Sequence, residues 1–477
     1  MSYCQSSFPL YFILYYILNL LQVLTILINL SNGLDYNYPQ ICSDGSGGAM
    51  LAWSIDTIIY TQKINSSGHI QWTEDGIVVI SSPTYKYNVR QFYSDGFGGA
   101  IIAWSVGSGF YVQRINSTGH IQWEENGVMI INNYYEEEDP QICNDGLGGV
   151  LITWSSYIGI YAQRINSTGH IQWDEDGVSV STALGGQYNP KINSDSLGGA
   201  IITWMDYRND WNTVIYAQRI NSTGHIQWEE DDIKASNSSY DQSFPQIYCD
   251  GFGGAFIAWN INNGIYAQLI NSTGYIQWDV DGIEVSNFDN DQKDQQIYSD
   301  GLNGVIIAWS ANNDIYAQRI NSTGHIQWDE DGVAICIPSY SSQVYPQICS
   351  TGTEGAIITW IDYRNGEPNI YTQKINGSGY VQWEENGVKV ENSYFVQEYP
   401  QICSDDLGGV IIAWSKGRYN YVQRINSSGH IQWGEEGKTI LIDPRIHNIP
   451  LGNIYLLITI IGIFSLVIST HQKLSSK

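Results

Sequence analysis

A pair of tryptophans that returns at a near-constant interval constrains this chain more than any other feature. The first of each pair is Trp53, Trp104, Trp154, Trp204, Trp259, Trp309, Trp360 and Trp414, at steps of 50 to 55 residues. The second, always preceded by glutamine, is Trp72, Trp123, Trp173, Trp228, Trp278, Trp328, Trp383 and Trp433. Two in each of eight units account for 16 of the 17 tryptophans, and Trp211 is left over. Self-similarity at a fixed period means that each unit buries its apolar faces against its neighbours, so residues 35–443 read as one eightfold array.

The unit from Pro140 to Ser181, PQICNDGLGGVLITWSSYIGIYAQRINSTGHIQWDEDGVSVS, breaks into four extended pieces. Pro-Gln-Ile is short, GGVLITW is an unbroken apolar and β-branched run, IYAQRI alternates in part, and HIQW leads into Gly-Val-Ser-Val. Gly, Asn and Asp clusters separate them, as turns do. Four short strands per period, the second wholly apolar, fit a propeller blade, whose inner strands are covered on both sides by adjacent blades. No unit shows the spacing of about 3.6 residues that a helical repeat requires. The expected fold is therefore all-β, an eight-bladed β-propeller of four-stranded blades, with repeats starting near 38, 88, 140, 190, 245, 295, 346 and 400. Aromatic residues at 13% of 477, with 48 Gly and 4 Met, suit a turn-rich β protein. A net charge of −27 argues against nucleic acid, whose phosphates need basic partners.

A Pro-led strand, a Trp-ended apolar strand, an Ile-Tyr strand and a Gly-x-x-x-Trp turn follow one another along the repeat. In that order the chain resembles sialidase-type, Asp-box β-propellers. It is more similar still to bacterial and archaeal surface proteins whose repeats run Trp-x-Asp-x-Arg, Ile-Tyr-Ala-Gln-Arg, Gly, Trp. Two units keep the Asp-x-Arg loop, as Asp206, Tyr207, Arg208 and as Asp362, Tyr363, Arg364. In Gly119-His120-Ile121-Gln122-Trp123 the glycine-to-tryptophan step is one residue longer than in the Asp-box, and Asn-Ser-Thr stands in place of its acidic turn. The resemblance therefore implies the fold and a surface location, but not an activity.

The chain ends set the expected compartment. Phe8 to Leu30 is apolar apart from Asn19, Gln22, Thr25 and Asn29, long enough for an export signal or a membrane anchor, so residues 1–34 read as a signal peptide or signal anchor. Asn453 to Thr470 is a second apolar run, trailed by His471, Lys473 and Lys477. It reads as a transmembrane helix with a short basic tail inside the cell, within a C-terminal segment 444–477 that begins as a linker. The acidic propeller would then sit outside the cytoplasm, held to the cell membrane by one or two passes.

Most polar repeats read as structure. Cys42, Cys143, Cys349 and Cys403 share one place in different blades, too far apart for disulfides, and read as small buried groups; a Cys336–Cys349 bridge is left open. His69, His120, His170, His225, His325 and His430 share another place, where Tyr275 and Tyr380 replace them, so they read as strand starts rather than ligands or bases. Arg114, Arg164, Arg219, Arg319 and Arg424, with Lys63 and Lys374, run around the circumference as structural ion pairs or solvated stems, and Leu269 takes the place of the charge in one unit. Acids follow each second tryptophan, such as Glu124, Glu125, Asp174 to Asp176, Glu229 to Asp232, and Asp329 to Asp331. They form a solvated girdle whose weak functional alternative is Ca²⁺ held by carboxylate oxygens. Asn65, Asn116, Asn166, Asn221, Asn271, Asn321, Asn376 and Asn426 each begin an Asn-x-Ser/Thr pattern that is either turn chemistry or a glycosylation acceptor.

The strand 1–2 and strand 3–4 turns lie on one face of such a disc and are nearly the same in every unit. The strand 2–3 loops and the blade connections lie on the other, and there the units differ. Asp206, Tyr207, Arg208 and Trp211, then Asp362, Tyr363 and Arg364, and the connection residues Tyr134 and Tyr135, are the candidate ligand contacts. The expected function is a surface binding or adhesion module for a glycan or protein ligand. The alternatives are a sialidase-like or polysaccharide-cleaving enzyme and a structural surface-layer spacer. No unrepeated acid, base or nucleophile stands out near the axis, so neither catalysis nor a cofactor is expected.

Overall fold

The computed structural model describes residues 38–440 except the segments 83–86, 108, 133–137, 209–211, 229–231, 287–291, 338–340, 352–354, 393–394 and 418. Both apolar end segments lie outside the described residues. Within them the chain forms eight antiparallel sheets, each of four consecutive strands. The first blade is β1 (Gln40–Ser43), β2 (Ala49–Ile55), β3 (Ile58–Ile64) and β4 (Ile77–Ser81), paired in that order. No strand is exchanged between blades. Closure is by side chains instead: one apolar cluster joins Ile41, Leu51 and Trp53 of the first blade to Cys403, Ile411 and Trp433 of the eighth. Among the described residues there is no helix, and so none long and apolar enough to cross a membrane.

The second strand of each blade is the apolar run read from the sequence, and every residue of β2 is buried. Its tryptophan is buried in all eight blades and, in seven, stacks on a tyrosine directly across the ladder, as Trp53 does on Tyr60 at 5.9 Å.

The blades are joined on one face, here called the uniform face. The second tryptophan of each blade donates its indole N–H to a carbonyl in the strand 3–4 turn of the next, from Trp72 to Ser117 O at 3.3 Å around to Trp433 to Ser66 O at 3.2 Å across the closure. The turn glycine lies flat under that indole: a Cβ on Gly68, at φ +79°, would stand 2.7 Å from Trp433 Cδ1. Beside it the strand-three cation bridges the same joint. Arg114 pairs with Asp95 of its own blade at 2.8 Å and donates to Ser167 O of the next at 3.1 Å. Arg164, Arg219, Arg319 and Arg424 repeat the arrangement, and Lys63 and Lys374 reach Gly98 O and Gly408 O of the following blades. The five arginines and Lys63 are structural ion pairs, while Lys374 is held by the carbonyl.

Asparagine caps each strand 3–4 turn. Asn116 Oδ1 accepts from the backbone N–H of Thr118 and of His120, and the Thr118 hydroxyl lies 3.0 Å from His120 Nδ1. The six cysteines among the described residues are buried and free, so the Cys336–Cys349 bridge does not form. Burial pushes the Cys349 thiol up to about 12.

Candidate ligand-binding face

On the opposite face the connections between blades feed the first strands, and those strands are irregular. A register shift marks the start of the first strand in the fourth to eighth blades. At each shift one residue takes the left-handed conformation: Asn189 (φ 54°), Phe244 (φ 53°), Asp294 (φ 58°), Tyr345 (φ 56°) and Tyr399 (φ 56°). Four of the five precede Pro190, Pro245, Pro346 or Pro400. A bulky side chain at positive φ is strained, and such strain persists where the surrounding structure imposes it, commonly at binding sites. Here Phe244, Tyr345 and Tyr399 are all exposed. Tyr399 stacks on Tyr38 of the first blade, and the hydrogen bond between them pushes the Tyr399 hydroxyl up to about 12.

Next to Tyr345, a cleft of about 310 Å³ opens between the sixth and seventh blades, lined by Lys293, Ser310, Asn312, Asn313, Ser342 and Gln343. The Gln343 side chain is wholly buried and lies 2.8 Å from the Ser341 hydroxyl. Burial, with the nearby Asp362 charge adding to it, pushes the Asp314 carboxyl up to about 6. Amide, hydroxyl and ammonium groups thus converge on a small polar hollow beside Tyr345. That combination can bond a set of hydroxyls while stacking on a ring.

The two Asp-x-Arg loops border this face and are tied inward. Asp362 is buried; it accepts the Trp360 indole N–H at 3.0 Å and the Arg364 backbone N–H at 2.8 Å, and pairs with the Arg364 guanidinium at 2.5 Å. That guanidinium lies 3.9 Å above the Tyr371 ring and reaches Cys336 Sγ and Asn386 O. Asp206 and Arg208 repeat the pattern over Tyr216, and Arg208 also pairs with Asp232 at 2.8 Å. Asp232 is therefore buried, unlike its counterparts in the acidic girdle: it stands where other units have glycine and is held by Arg208, Ser181 and Gln218. The exposed members of the loops are Tyr207 and Tyr363. Tyr363 donates its backbone N–H to Ser342 O at 3.0 Å, which places its loop beside the cleft, and Tyr207 does the same to Gly186 O at 3.0 Å. Trp211, Tyr134 and Tyr135 lie outside the described residues.

Sequence reasoning passed over Lys293, Asn312, Asn313, Asp314, Ser342 and Gln343. The signal for part of it was local: Asn312-Asn313-Asp314 is a strand 2–3 turn with two successive positive φ angles. Among the described residues no group of three His, Cys, Asp or Glu side chains is placed to hold a metal ion.

No protein-family model and no curated protein matches the sequence. Solved structures do. Prolyl oligopeptidase B from Galerina marginata matches 76% of this chain over 52% of its own, at 12% identity and a TM-score of 0.46. Oligopeptidase B from Trypanosoma brucei, with covalently bound antipain, matches 72% over 46% of its own, at 8% identity and a TM-score of 0.44. A thermostable family-43 glycoside hydrolase matches 53% over 94% of its own, at 13% identity and a TM-score of 0.31. The match spans about half the length of the oligopeptidases. All three are enzymes, so the expectation that this chain is not one is withdrawn. Likeness at this level assigns it no activity either.

Proposed function

We propose that the propeller is a surface module that binds a glycan on the variable face, centred on the cleft between the sixth and seventh blades. The observation that carries this reading is the strained backbone at Phe244, Tyr345 and Tyr399, which holds exposed rings on the variable face, Tyr345 of them beside a polar cleft. Aromatic rings stack on the apolar faces of sugars, while Asn312, Asn313 and Lys293 supply donors and acceptors for hydroxyls. Asp206 with Arg208, and Asp362 with Arg364, hold in place the loops that present Tyr207 and Tyr363. The propeller is exported and held at the membrane by the apolar segments at its ends. Strand directions put both exits of the ring on the variable face, which makes an envelope glycan close to the membrane the natural ligand class.

A glycan array probed with the full chain, wild type against Tyr345→Ala and Tyr363→Ala, tests the proposal. Retained glycans that are lost in either variant support it, and the same array read for shortened products reports any cleavage. Glycan binding unchanged in both variants, or binding only to protein ligands, would count against it.

A further inference from the structure

The uniform face carries a feature that its structural role does not explain. In seven of the eight blades the strand 1–2 turn is built by an aspartate, with Thr351 at that place in the seventh: Asp95 Oδ1 accepts from Phe97 N–H at 2.8 Å and from Gly99 N–H at 2.9 Å. The residue at the tip is not needed for this, because Ser46 in the first blade forms the same turn, donating to Asp44 Oδ1 at 2.8 Å. Yet six other blades place Phe97, Leu147, Leu197, Phe252, Leu302 and Leu407 at that tip, between 52% and 71% exposed. As equivalent positions of the repeat they lie together on the uniform face, interrupted by Ser46 in the first blade. Phe97 leans toward the turn of the next blade at Gly148, and Leu407 toward Gly47 across the closure.

Three observations say what covers this patch. First, it is large: six side chains at roughly 100 Å² each reach the upper end of apolar patches on monomers, about 300–600 Å², and approach the roughly 800 Å² per partner of a standard interface. Second, the face is almost uncharged, since the Asp–Arg and Asp–Lys pairs lie beneath the tips and Asp406 is the one exposed carboxylate among the described residues of these turns. The girdle acids stand out at the circumference. Third, knobs alternate with gaps. Beside the tips, Gly45, Gly96, Gly146 and Gly251 face open space, with nothing within 4 Å of where a Cβ would stand. A surface whose knobs and gaps share one spacing around an axis is complementary to itself, and a twofold pairing of such surfaces closes without propagating.

We infer that the occupant is a second copy of this chain, packed face to face through the apolar turn tips. The pairing is independent of the ligand reading, because it leaves both variable faces and all four exits of the two rings pointing away from the contact.

Sedimentation of the full chain in a mild detergent tests it, with each variant's melting temperature as the control for folding. The triple variant Phe97→Ser, Leu147→Ser, Leu197→Ser puts on three blades the residue that the first blade already tolerates. The wild type is expected to be a dimer at micromolar concentration, the triple variant a monomer with its melting temperature kept, and Ser46→Leu, which extends the patch, a dimer at least several-fold tighter. A wild type that stays monomeric, whether or not it takes up lipid through these tips, overturns the inference. So does a dimer that survives the triple substitution, or one that Ser46→Leu weakens.

Discussion

The two faces of the disc are made by the same eight units, and they differ in what each residue answers to. On the uniform face a turn serves two blades at once: the Ser117 carbonyl ends a turn of its own blade and accepts the Trp72 indole of the previous one. On the variable face a connection has only to span from one blade to the next. Its contacts with the neighbour differ from blade to blade, as when Tyr399 stacks on Tyr38 and Gln295 donates to the Phe244 carbonyl, and there the chain places its strained aromatics, its polar cleft and its two Asp-x-Arg loops. Sameness within this repeat marks joints between blades, and divergence marks the surface open to other work.

The hardest way to break the comparison is at the closure. Trp433→Ala removes a buried indole, and with it the tie to Ser66, from the joint that makes the ring a ring. Truncations of this kind cost about 3–5 kcal/mol, read as a fall in the denaturation midpoint. A loss under about 1 kcal/mol would mean the joints do not hold the blades.

A second test reaches the variable face from below. Arg208→Met leaves Asp206 and Asp232 buried beside each other without their cation and should cost about 3 kcal/mol. If the loop were a ligand site first and a tie second, Arg208→Met would instead abolish binding at almost unchanged stability.

How much of this was legible in the sequence depends on how local the cause is. The tryptophan spacing gave eight blades, because burial of one apolar strand per unit is a property each unit repeats. The strand-three arginines read as structural ion pairs or solvated stems, and the structure makes them ion pairs. The Asp-x-Arg loops read as candidate ligand contacts because they break the uniformity of the repeat, whereas Trp360 and Tyr371 close over Asp362 and Arg364 from the same blade. Asp232 read as one more girdle acid, since nothing nearby in sequence shows that Arg208 would reach it. The cleft escaped notice because its walls come from residues 293, 310–313 and 342–344, three stretches that only blade packing brings together.

A smaller effect separates the blades of the uniform face. Asp95→Asn strands Arg114 and should cost about 1–3 kcal/mol. The fifth blade has Leu269 where the arginine stands, and Asp250 has no ion pair among the described residues. Asp250→Asn keeps its turn bonds and should stay within about 0.5 kcal/mol of wild type. Equal losses for the two would remove the ion pair from the account of the joint.

The smallest expected effect is a pH dependence confined to the cleft. Asp314 holds its proton longer in the folded protein, to about 6, than the ordinary value of 3.8. Its contribution therefore favours the folded state most at low pH, declines as pH rises from about 4 to about 6, and is constant above. Asp314→Asn should flatten that slope in a chemical-denaturation series. An unchanged slope would mean the carboxyl titrates as it does in the unfolded chain.

The most direct test of the central claim, that the divergent face is the binding face, is hydrogen–deuterium exchange on the full chain with and without a glycan found on the array. The account predicts slowed exchange at residues 310–314, 341–345 and 362–366, with the Asn-Ser-Thr-Gly turns unaffected. Protection confined to those turns, with none at Tyr345 or Tyr363, would place the ligand on the uniform face and contradict it.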